Sequence, residues 1–148
     1  MHPFDPRTVL LAKHAQHVVL IHFPIALFIS GVIFDLLGVW NESRELATAA
    51  YYNLSAAAIS AFPAAATGLL AWQWLLEGKR PKGVLLLHMT LGLASIAVIC
   101  GTWWLHFRVR RLPERRLPVY HLPVEILGVL LVSVTGHLGG FLSGVNGG

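Results

Sequence analysis

His22, His88 and His137 each lie inside, or near the end of, a different long apolar run. An ionisable ring within a membrane span is costly and marks a functional site by default. Antiparallel threading puts His22 and His88 early in helices that start on the N-terminal side. It puts His137 late in a helix that ends there. At 1.5 Å per residue each ring sits roughly 6–9 Å inside its helix end, so the three share one depth. The second apolar run ends in the same layer with Thr67, Gly68, Trp72 and Trp74.

Imidazoles converging from three helices suit haem iron, zinc, copper or non-haem iron. A closed zinc site usually adds Cys, Asp or Glu at the same depth, and this layer has none. A bis-histidine haem b needs two facing rings and a slot of small and aromatic residues. Phe23, Ala66, Gly68, Trp72, Gly92, Gly136 and Gly140 supply that composition. The first expectation is therefore haem b on two of His22, His88 and His137. The alternative is a Zn, Cu or Fe ion on His17, His22, His88 and His137. His17 precedes His22 by about 140° of helix, so the two do not share a face. The bland alternative for each ring is solvation at the headgroup boundary.

The elements that must position these rings follow from composition. The 148 residues are 55% hydrophobic and 12% charged, where a soluble domain carries roughly 25% charged residues. Mean hydropathy is +0.65. This is the composition of an integral membrane protein in contact with the lipid bilayer. The net charge of +4 is carried by connections between apolar runs, which is a membrane-flank pattern and not a nucleic-acid stripe. The lone Cys100 excludes a disulfide framework and a CxxC motif. A span needs about 20 mostly apolar residues. Residues 18–40, 54–76, 84–107 and 119–142 qualify. They predict an antiparallel up-down bundle of four transmembrane helices over 18–148, behind a polar tail over 1–17. With no small-residue cleavage site after it, the first run reads as a retained helix.

Small residues at four-residue spacing, Ser60–Ala64–Gly68 and Gly136–Gly140–Gly144, would let helices approach closely or make room for a flat cofactor. Pro24 and Pro63 each remove a helix hydrogen bond and predict kinks. Basic residues divide six against five between the two sides. The dense cluster from Arg108 to Arg116 favours the cytoplasm for its own side, leaving both termini and the histidine layer on the periplasmic side of a bacterial inner membrane.

At the opposite surface lie His106 and His121, and somewhat deeper Asp35 and Glu125. The histidines read as interfacial, or as ligands of a second haem about 24–27 Å from the first. The carboxylates read as partners of Arg108, Arg110 or Arg116, or as a proton path or quinone-binding pair.

With these residues in hand, the chain resembles the domain-of-unknown-function 2231 family of small bacterial four-helix membrane proteins. The resemblance runs from His17 to the end. It rests on His17-Val-Val-Leu-Ile-His22-Phe23-Pro24-Ile25-Ala26-Leu27, on Asp35-Leu-Leu-Gly38, on Ala66-Thr67-Gly68-Leu-Leu-Ala-Trp72, on His88, and on Thr135-Gly136-His137-Leu138-Gly139-Gly140. Two features depart from the family pattern: His17-Val18 replaces His-Pro, and Phe141-Leu-Ser-Gly replaces a tyrosine and a His-Gly pair. The resemblance raises His17 to a site candidate and implies a respiratory setting beside c-type cytochromes. The resulting expectation is a cytochrome b-like one-electron carrier between a quinone or quinol and a periplasmic cytochrome c. The rival readings are a transition-metal binding or transport protein, and a structural subunit of a larger complex or homo-oligomer. No nucleophile–base pair or phosphate loop argues for an enzyme, and nothing points to nucleic acid.

Overall fold

The computed structural model describes residues 13–75, 80–113 and 116–143. They form four helices: α1 (Lys13–Trp40), α2 (Arg44–Leu75), α3 (Gly83–Arg110) and α4 (His121–Leu142). All four are long and apolar enough to cross a membrane, and no strand occurs among the described residues. The shortest, α4, has 22 residues, which at 1.5 Å each spans about 33 Å of a roughly 30 Å hydrocarbon layer. Each helix packs on its sequence neighbour, and α1 closes the ring on α4. Cross-helix contacts run antiparallel. On α1 and α2, Ser30 meets Asn53 and His17 meets Ala64. On α3 and α4, His106 meets Glu125 and His88 meets Thr135.

Two helices outrun their apolar segments. α1 begins at Lys13, inside the polar tail, and α2 begins at Arg44 instead of residue 54. Residues 44–53 are mostly good helix formers, and Glu45 sits in the first turn, where it complements the helix dipole. Hydropathy marks only the part of a helix that lies in hydrocarbon. The connection to α1 is therefore only Asn41–Ser43. Glu42 adopts a left-handed φ of 50°, and Ser43 N–H reaches back to the Gly38 carbonyl at 2.9 Å, closing α1 as a Schellman turn. The Ser43 hydroxyl then accepts from Leu46 N–H at 3.3 Å and caps α2. One residue ends a helix and starts the next, which forces a tight hairpin.

That hairpin is joined through small residues. A side chain at Gly31 would meet Leu54 at 3.0 Å, and one at Gly38 would meet the Ala47 backbone at 3.1 Å. Ala50, Ala57, Ala58, Ala61 and Ala64 are buried on α2. In lipid, where apolar burial drives little, such close approach supplies the packing attraction. Both helices continue through Pro24 and Pro63. The core gathers Phe28, Val32, Leu54, Ile99 and Val132 from all four helices. Gly128 lets α4 press against Phe28 and Val98, where a Cβ would lie 2.9 and 2.8 Å from their side chains. Gly144 of the second small-residue stripe lies outside the described residues. Arg110 stacks on the Tyr51 ring at 4.4 Å, tying the end of α3 to the start of α2.

Glu42→Gly is expected to relieve the left-handed strain and raise stability by up to about 1 kcal/mol. Ser43→Ala should lower it by about 1 kcal/mol. Unfolding midpoints in mixed micelles check both, and unchanged midpoints contradict the turn's assigned role.

Candidate functional site

The most heavily buried polar groups lie at the arginine-rich end of the bundle. Asp35 on α1 is 2% exposed, His106 on α3 4%, and Glu125 and His121 on α4 1% and 8%. Each residue sits about one turn from its helix end, or at it, on the side where α1 and α3 finish and α4 begins. His106 Nε2 lies 2.7 Å from Glu125 Oε1. His121 Nε2 lies 3.0 Å from Asp35 Oδ2, within ion-pair distance but off the line of a good hydrogen bond. The two rings meet edge to face at 6.3 Å. One ligand atom from each of Asp35, His106 and Glu125 falls within 4.8 Å of the others, drawing on three helices.

The protons are constrained. His121 Nδ1 sits 2.7 Å from the Pro118 carbonyl, which can only accept, so Nδ1 carries a hydrogen and donates it. In the neutral ring Nε2 then presents a lone pair to the Asp35 carboxylate. Two lone pairs at 3.0 Å repel, so the contact is favourable only with a proton on one of the two groups or a cation beside them. The 2.7 Å contact of His106 with Glu125 needs a shared proton likewise. A carboxyl group in a dry site must be either neutral or beside a positive charge, because an unpaired buried charge is prohibitive. Asp35 Oδ2, Glu125 Oε2, His121 Nε2 and Thr102 Oγ1 are all buried without a hydrogen-bond partner. Such unmet acceptors and donors are rare and call for an explanation.

The opposite layer is arranged differently. His17 Nδ1 donates to the Ala64 carbonyl at 3.0 Å, with Thr67 Oγ1 at 3.3 Å. Its ring fills the space left by Gly68, where a Cβ would lie 2.8 Å from Cε1. His88 Nδ1 donates to the Thr135 carbonyl at 3.1 Å, against Gly139 at 3.1 Å from a built Cβ. His22 donates to the Val18 carbonyl of its own helix at 2.6 Å and faces outward. His137 is exposed; Trp72, Gly136 and Gly140 are half-buried. Thus His17 clamps α1 to α2 and His88 clamps α3 to α4. His17, His22, His88 and His137 form no three-ligand cluster of the kind made by Asp35, His106 and Glu125, the one such group among the described residues.

The sequence favoured Arg108, Arg110 or Arg116 as partners of Asp35 and Glu125, over a proton path or quinone-binding pair, and favoured interfacial His106 and His121 over a second haem site. The structure instead puts the carboxylates against those two histidines. The signal was available: counting depth from the other helix ends places all four near one level, as it did for the N-terminal layer.

Four spans closed by a buried acid–imidazole centre define a polytopic membrane protein. The chain belongs to the family described as predicted membrane protein (DUF2231), whose model matches residues 13–147. No curated protein and no solved structure matches it.

His106→Ala leaves Glu125 buried without its imidazole and should cost about 3–5 kcal/mol, whereas the double replacement His106→Leu, Glu125→Leu should recover much of that loss. Thermal unfolding in detergent measures both, and a double variant as unstable as the single one would contradict the pairing.

Proposed function

We propose that this protein binds a divalent transition-metal ion within the membrane, at the centre formed by Asp35, His106 and Glu125 with His121 alongside. The observation that carries this reading is the convergence of three buried ligand atoms, within 4.8 Å of one another, from three helices. Ligands bound at about 2.0–2.2 Å in a tetrahedral set lie roughly 3.3–3.5 Å apart. The three atoms reach that spacing by small rotamer shifts. Mixed imidazole and carboxylate donors suit Zn(II), Fe(II), Mn(II) or Cu(II) and leave no excess charge on a divalent ion. Asp35 Oδ2 and Glu125 Oε2, which have no hydrogen-bond partner, would gain one in the ion.

The test is elemental analysis of detergent-purified protein from cells grown with each metal. About one equivalent is expected in the parent, with loss in Asp35→Asn and His106→Ala and retention in His22→Ala and His137→Ala. Equal metal in Asp35→Asn and in the parent would overturn the assignment.

A second reading keeps haem b at the opposite layer and one-electron transfer between quinol and a cytochrome c. It is supported by the fixed orientation of His88 and His17, each held through Nδ1 by a carbonyl on a neighbouring helix. Ligating histidines are oriented through the second nitrogen in this way. His88 would supply one axial ligand and His17, His22 or His137 the other. A dithionite-reduced spectrum should then show b-type bands that His88→Ala abolishes. A colourless protein that takes up no added haem removes this reading.

A further inference from the structure

Beside the buried centre, α3 and α4 part to leave a cleft of about 360 Å³. Its outer wall includes Gly101, Trp104 and Val124, all exposed to the surroundings of the bundle. Its inner wall includes Thr102, His121 and Glu125, all buried. Arg108 and Tyr120 border it and mark the headgroup level, so the cleft opens sideways into lipid just beneath that level.

We propose that this cleft binds the ring of a lipid-soluble quinone or quinol. The volume falls at the low end of ligand pockets, roughly 300–1,000 Å³, and suits a single six-membered ring whose isoprenoid tail stays in the bilayer. Apolar walls with a few polar groups at the inner end are the usual composition of such a site. Those polar groups carry three of the four buried atoms without a hydrogen-bond partner, Thr102 Oγ1, Glu125 Oε2 and His121 Nε2, of which only the last has an ion-pair contact, with Asp35. A quinone oxygen accepts a hydrogen bond from the Thr102 hydroxyl, and, where no ion takes its free oxygen, the Glu125 carboxyl accepts one from a quinol hydroxyl. An acyl chain would leave Thr102 Oγ1 and Glu125 Oε2 unmet, and a phospholipid phosphate would stop at Arg108 on the border. The proposal goes beyond metal binding: the cleft shares Glu125 and His121 with the proposed metal centre, whereas Thr102, Gly101 and Trp104 belong to the cleft alone.

Gly101 offers a selective probe. A Cβ there meets nothing within 4 Å, so Gly101→Leu extends into open space. Leucine also raises helix propensity, so the variant should fold. The experiment titrates decylubiquinone into the full-length protein in phosphatidylcholine nanodiscs and follows tryptophan fluorescence. Metal content is measured on the same samples. Saturable quenching is expected, reduced by Trp104→Phe, lost in Gly101→Leu at unchanged metal content, and weakened roughly tenfold in Thr102→Val, which removes one hydrogen bond. Quenching that never saturates, that persists in Gly101→Leu, or that is relieved equally by added phospholipid would overturn the proposal. If the parent binds the quinone but holds no metal, the metal reading falls and the cleft assignment stands.

Discussion

Two carboxylates held dry against two imidazoles set the terms on which the bundle closes. Each carboxylate would be expensive in hydrocarbon if left alone. Glu125 finds His106 within the α3–α4 hairpin, but Asp35 is carried by the other hairpin and finds His121 only when the two dock. The apolar contacts between hairpins are permissive, since lipid tails compete equally for such surfaces. The Asp35–His121 contact is more demanding, because α1 slid by one turn would strand a charge. It therefore specifies register as much as it contributes stability. The close approach that it needs is granted by Gly128, which lets α4 press against Phe28.

The bundle is polar at both ends and differently built at each. At the N-terminal end, histidines bond to backbone carbonyls across each hairpin and fill spaces left by Gly68 and Gly139. Those contacts each stay within one hairpin. At the arginine-rich end, titratable side chains bond to one another across hairpins, several of their atoms lack partners, and a cleft adjoins them. Chemistry belongs more naturally where polar groups are buried but unmet than where they are satisfied locally. That contrast, not the number of histidines, shifts attention from one end to the other.

Much of the architecture was legible in the chain. Four apolar runs of spanning length imposed four helices, and short links imposed antiparallel neighbours. The helical extension over 44–53 was hidden because it is too polar to stand out in hydropathy, and capping by Ser43 sets where the helix starts. For the site, depth counting found the layer but not the facing. His22 and His88 share a depth, yet one looks outward and the other across to α4. Rotation about a helix axis depends on how the helices pack, which residue counting does not supply. Asp35 and Glu125 were flagged as costly, but abundant nearby arginines offered ready partners. The structure favoured imidazoles because they reach the interior from the helices themselves, without a long stem to order.

The off-line contact between His121 and Asp35 has a consequence for any ion that would bind there. With both carboxyls ionised, the centre would be balanced by two protons on the imidazoles or by one divalent ion. A divalent ion that displaced two protons would leave the net charge of the site unchanged. Such a swap would carry no net charge through the membrane field, whose work on each elementary charge is about 2.3 kcal/mol per 100 mV. The occupancy of the centre would then answer to acidity and ion supply, and be indifferent to voltage.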